Sequence, residues 1–83
     1  MSVTNKEVKQ NQEGINRMFD EVRYAYNLRS DAKLAFFLRV APPVISKHRN
    51  GDLPVGDSMV LKLHEHGGLT VARIRRELKL DTE

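Results

Sequence analysis

The chain contains no cysteine, which removes disulfide frameworks, thiolate zinc sites and thiol catalysis together and suits a reducing compartment. Nor is there an apolar run approaching the roughly 18 residues that span a bilayer, and the polar start lacks the apolar core of a secretion signal. The expectation is a cytoplasmic protein with no membrane partner. No alternating strand pattern, internal repeat or low-complexity tract is long enough to argue for a sheet or a solenoid. At 83 residues, the chain has room for one core and little interior from which to carve a catalytic cleft. Without staples, such a domain must be held by well-packed helices or by a partner chain.

Charge is present in modest excess. Lysine and arginine total 14 against 11 acidic residues, a formal charge of +3. That balance permits a nucleic-acid partner but does not require one, since many soluble domains are as basic.

Helical periodicity dominates the rest. Residues 1–12 are almost wholly polar and read as an arm, although Thr4 and Glu7 have the spacing of a capping box. Ile15, Met18, Phe19, Val22 and Tyr26 then recur at three- and four-residue intervals, predicting a first helix that ends near Asn27, with Arg17, Asp20, Glu21 and Arg23 facing away. Ser30 is a good N-cap for a second helix carrying Leu34, Ala35 and Leu38, which Pro42 and Pro43 stop at about Arg39. The same prolines suit the first turn of a third helix, closed by Asn50 and Gly51 through a left-handed cap. Asp57 or Ser58 can cap a fourth helix with Val60 and Leu63 inside, ended by Gly67 and Gly68. Thr70 caps a fifth, with Leu69 and Ile74 placed as a hydrophobic staple. The fold class is therefore all-α, five helices within residues 13–80, followed by a short tail over residues 81–83.

The second and third helices carry the functional signal. Ala35 is small where two steeply crossing helices bring their backbones close. Ile45 faces inward, which turns Pro43, Ser46, Lys47 and Asn50 outward as a polar, short-chained, cationic face suited to the floor of a major groove. Lys47 can donate to guanine O6 or N7, and Ser46 can pair with several base edges. Around that face, Arg29, Ser30, Lys33, Arg49 and Gly51, with the amides at the start of the second helix, are placed to grip phosphates and set the register.

From Asp31 to Gly51 the sequence resembles the helix-turn-helix of the lambda-repressor-like family of phage Cro and repressor proteins and XRE-type regulators. Leu34, Ala35 and Leu38 match its first motif helix, Val40 its turn, Ile45 the inner face of its recognition helix, and the run Ile45-Ser46-Lys47-x-Arg49-Asn50-Gly51 the end of that helix. The likeness extends over about residues 29–78. Arg39 stands where the family usually has glycine, Ala41 where it often has a capping hydroxyl, His48 where it often has a large aromatic, and Asp31 where it often has glutamine. The resemblance implies a DNA-binding transcriptional regulator, a repressor or Cro-like protein of phage, prophage or plasmid origin, binding double-stranded DNA as a homodimer.

Other features have plainer readings. His64, Glu65 and His66 lack the i, i+4 spacing of a helical zinc pair, so no metal or cofactor is expected, and neither histidine has a catalytic partner in view. The chain does not read as an enzyme. Phe36 and Phe37 cannot both face one core, so one makes an exposed apolar spot, a dimer contact or a rim residue. Arg73, Arg75, Arg76 and Lys79 make the fifth helix basic, as a solvated face or as a contact for DNA or an acidic partner. The competing function is an adaptor or antitoxin acting through protein contact by Phe36 and Phe37 or the first helix. Within DNA binding, the runner-up is a non-specific architectural protein.

Overall fold

Asn11 starts the first helix: its side-chain oxygen accepts from the Gly14 amide at 3.2 Å, satisfying one of the donors every helix start leaves open. The computed structural model describes residues 10–79 as five helices and their connections, with no strand among the described residues. They are α1 (Gln12–Ala25), α2 (Asp31–Leu38), α3 (Pro42–Asn50), α4 (Asp57–Glu65) and α5 (Val71–Leu78). None is long and apolar enough to cross a membrane. The Thr4 and Glu7 pair and residues 81–83 lie outside the described residues.

The apolar stripe of α1 is buried as its spacing requires: Ile15, Met18, Phe19 and Val22 form the floor of the core. Tyr26 departs from that stripe. The helix has already ended at Ala25, and Asn27, a residue that tolerates the left-handed region, turns the chain at φ 56°. The Tyr26 ring therefore lies half-exposed against Phe37, with centroids 4.6 Å apart.

Ser30 caps α2 as expected, its hydroxyl accepting from the Lys33 amide at 3.1 Å. Leu34, Ala35 and Leu38 are fully buried. The helix stops at Arg39 with φ 65°, a backbone setting that costs an L side chain about 1 kcal/mol. Ala41 offers no side-chain cap, and the two prolines in the first turn of α3 hold the helical φ in its place. Gly51 closes α3 at φ 82°, where glycine alone is unstrained.

Two expectations for α4 are corrected. Gly56 occupies the cap position with no side-chain bond, and Asp57 lies in the first turn, where its charge faces the open amides. Met59 and Leu63 enter the core, while Val60 only flanks it. Thr70 caps α5 by accepting from the Arg73 amide at 3.0 Å, and Leu69 and Ile74 are both buried, as a staple demands. One device secures both loops that follow α3 and α4. His48 Nδ1 donates to the Leu53 carbonyl at 2.9 Å and His64 Nδ1 to the Leu69 carbonyl at 2.8 Å, each five residues ahead.

The folded domain begins earlier than the polar composition suggests. Gln10 pairs with the Val55 peptide in both directions, at 2.9 and 2.7 Å. Gln12 Nε2 donates to the His48 and Arg49 carbonyls at 2.7 and 2.8 Å, satisfying the end of α3.

α1 and α5 pack closely at Gly14, where a Cβ would run into the Glu77 backbone carbonyl. Beside that contact Glu77 accepts from Arg17 at 2.8 Å and from Arg73 at 3.1 Å, and Arg73 reaches Glu21 at 2.6 Å. Arg73 is thus turned onto α1 rather than into the solvated basic cluster. The Arg73 guanidinium holds the Glu21 carboxyl below its ordinary pKa, and Arg17, followed by Arg73, does the same for Glu77 against the opposing pull of burial.

Gly14→Ala should destabilise the domain by about 1–3 kcal/mol, as overpacking does, seen as a lower urea midpoint at unchanged m-value. Because the folded carboxyls titrate below their unfolded values, their stabilisation is complete above the unfolded carboxyl pKa and is lost as pH falls through the depressed folded range. Urea midpoints taken from about pH 7 to about pH 3 should fall more steeply for the wild type than for Glu77→Gln, which should be less stable at neutral pH and flatter in acid.

Candidate nucleic-acid interface

α2 and α3 are joined by the three residues 39–41 and pack against each other through Leu34, Ala35 and Leu38 on one side and Ile45 on the other. With Ile45 and His48 buried, the opposite side of α3 is left to solvent. Pro43, Ser46, Lys47 and Asn50 are all exposed there, at i, i+3, i+4 and i+7, the spacing of a single helix face. The structure therefore brings together the four residues that the sequence marks for base reading.

The flanking set is divided. Arg29 and Lys33 are exposed near the start of α2, and Gly51 is exposed at the end of α3. Ser30 spends its hydroxyl on the helix cap. Arg49 is a correction to the phosphate-gripping set, because its side chain is turned inward and only 19% exposed. Its Nε and Nη2 donate to Asp31 at 2.7 and 3.1 Å, Nη2 also to Asp20 at 2.8 Å, and Nη1 to Asn16 at 3.2 Å. Its guanidinium carbon lies 5.5 Å from the centroid of the Phe19 ring. Burial disfavours its charge, yet bonds to Asp31 and Asp20 outweigh that penalty and raise its pKa. The spacing contains the reason, since Arg49 follows the inward-facing Ile45 by four residues and shares its side of the helix.

The same contact engages Asp31. Asp31 is paired with Arg49 and, at 3.4 Å, with Arg23, which also donates to the Leu28 carbonyl. His48 is packed inside: it is 3% exposed, with its ring centroid 6.1 Å from that of Phe19. Arg39, in sequence merely an unusual turn residue, adds an exposed cation between the two helices. Among the described residues, no ion pair involves Arg29, Lys33, Arg39 or Lys47.

His64 is engaged with Leu69, and the described residues contain no group of three or more histidine, cysteine or acidic side chains placed to hold a metal. The two phenylalanines separate as their adjacency requires, Phe36 at 74% exposure and Phe37 half-buried against Tyr26.

The internal role of Arg49 separates from a phosphate contact by conservative substitution. Lysine keeps the charge but not the planar fork that reaches two aspartates and an asparagine at once. Arg49→Lys should therefore lose about as much stability as Arg49→Ala, roughly 1–2 kcal/mol in thermal or urea unfolding. Wild-type stability in Arg49→Lys would contradict the structural role.

No protein-family model matches the chain, and neither the curated proteins nor the solved structures yield a significant match.

Proposed function

We propose that this protein is a sequence-specific DNA-binding transcriptional regulator with a lambda-repressor-like helix-turn-helix at α2 and α3, acting in the cytoplasm as a repressor or Cro-like protein. The observation that carries the reading is the outward side of α3: Pro43, Ser46, Lys47 and Asn50, all exposed and all on one face of a helix whose other side is sealed into the core. Such a face enters a major groove without reorganising, and small polar side chains with one cation read base edges there. Arg29, Lys33 and Arg39, outside any ion pair among the described residues, flank it as phosphate contacts, which position the helix without reading sequence. Two copies related by a two-fold axis present their α3 helices to half-sites about one helical turn (~34 Å) apart.

The test is selection from a randomised duplex library at near-physiological salt, followed by competition against bulk DNA. A two-fold-symmetric preferred site is expected. Ser46→Ala and Lys47→Ala should remain folded and each lose about 5- to 150-fold in discrimination, the equivalent of about 1–3 kcal/mol per good base contact. A uniform weakening across all sequences would instead mark a non-specific architectural protein. One observation favours a second reading: Phe36, at 74% exposure, is a large apolar side chain open to a protein partner. In an adaptor or antitoxin of that kind no sequence would be enriched, and Phe36→Ala rather than Lys47→Ala would abolish function.

A further inference from the structure

A groove of about 280 Å³ lies between α3 and α4, near the small end of the range for ligand clefts and with room for a single ring or a short chain. Val44 and His48 stand one turn apart on the α3 side, and Met59 and Lys62 one turn apart on the α4 side. Val40, Leu53 and Pro54 complete its apolar lining, and Leu53 is still 37% exposed. The polar groups are few. Lys62 is in no ion pair, and no acidic side chain lines the groove, among the described residues. Ser58 lies in the first turn of α4, where the cap residue Gly56 supplies no side-chain acceptor to the open amides. Asp57, in the same turn, is not among the lining residues. His48 is buried in the wall. Because a carbonyl can only accept, the bond to Leu53 places a proton on Nδ1 and leaves Nε2 of the neutral ring as an acceptor. Nε2 has no hydrogen-bond partner among the described residues.

We propose that this groove binds a small hydroxylated carboxylic acid. Its apolar body covers Val44, Leu53 and Met59, its carboxylate meets Lys62 and the Ser58 hydroxyl at the start of α4, and its hydroxyl donates to His48 Nε2. One cation matches one carboxylate, whereas the second charge of a phosphate would find no counterpart among the lining residues. A buried polar atom without a partner is uncommon in folded proteins, and a bound hydroxyl supplies the partner that Nε2 lacks. None of Pro43, Ser46, Lys47 and Asn50 lines the groove, so an occupant leaves the outward face of α3 open while joining α3 to α4. Binding here requires nothing of the DNA-reading role.

The experiment is a nuclear magnetic resonance titration of the isotope-labelled full chain, at constant ionic strength, with acetate, benzamide, benzoate, and meta- and para-hydroxybenzoate. At least one hydroxybenzoate should give saturable shifts of the Ser58 and Met59 amides and of the His48 ring nitrogens. Benzoate, which lacks the donor to Nε2, should bind about tenfold more weakly. Acetate, with the charge but no body, and benzamide, with the body but no charge, should bind more weakly still. Lys62→Met keeps the aliphatic stem and removes the cation, so it should weaken the hydroxybenzoate about tenfold while leaving the rest of the spectrum in place. Shifts that never saturate, that gather at Arg75 and Arg76 instead, or that acetate reproduces would overturn the proposal. So would a Lys62→Met variant that binds as the wild type does, or hydroxybenzoates no tighter than benzoate with the His48 nitrogens unmoved.

Discussion

The guanidinium of Arg49 holds the outward-facing helix in place. Four donated hydrogen bonds run from it to Asn16 and Asp20 on α1 and to Asp31 at the start of α2, across the face of Phe19. Gln12 adds two more to the last carbonyls of α3. The end of α3 is therefore referenced to both helices that flank it. On the proposed DNA-binding reading, in which α3 presents four side chains to a rigid partner, such support means that binding orders nothing further. The His48 ring sealing the inner side of the same turn completes the arrangement.

Charge is partitioned by position. Arg17, Arg23, Arg49 and Arg73 lie between helices and each has a carboxylate partner. Arg29, Lys33, Arg39 and Lys47 instead project outward around α2 and α3, and Arg75, Arg76 and Lys79 do so on the outer side of α5. A net charge of +3 conveys little of this, because four acidic residues, Asp20, Glu21, Asp31 and Glu77, are engaged in ion pairs among the described residues while exposed cations gather on the surfaces around α2, α3 and α5. Exposed ion pairs contribute little each, but those at the α1–α5 contact share Glu77, so they act as a network around the close approach at Gly14.

Much of the helical layout is legible in the sequence because its signals are local. Ser30 and Thr70 cap where a hydroxyl precedes an apolar period, Pro42 and Pro43 can only open a helix, and Gly51 ends one. The inward positions of α1, α2 and α5 follow from a 3.6-residue period that any core must respect. The same periodicity places Pro43, Ser46, Lys47 and Asn50 on one exposed side of α3, because the burial of Ile45 determines what is opposite. Around α4 the cues compete, with three polar or glycine residues in a row able to cap and two apolar neighbours able to face inward. There Gly56 rather than Asp57 takes the cap, and Met59 rather than Val60 is buried.

What the residues by themselves determined is thus the number and type of the elements, most of their caps and breaks, and the residues of the exposed α3 face, all consequences of interactions within a few positions. Only the tertiary structure decided who pairs with whom. Arg49 meets Asp31 across 18 residues and Asn16 across 33, Gln10 meets Val55 across 45, and Arg17 meets Glu77 across 60. No local pattern encodes such separations: helical spacing can turn Arg49 to the side of Ile45, but only the packing of three helices fixes which carboxylates stand within its reach.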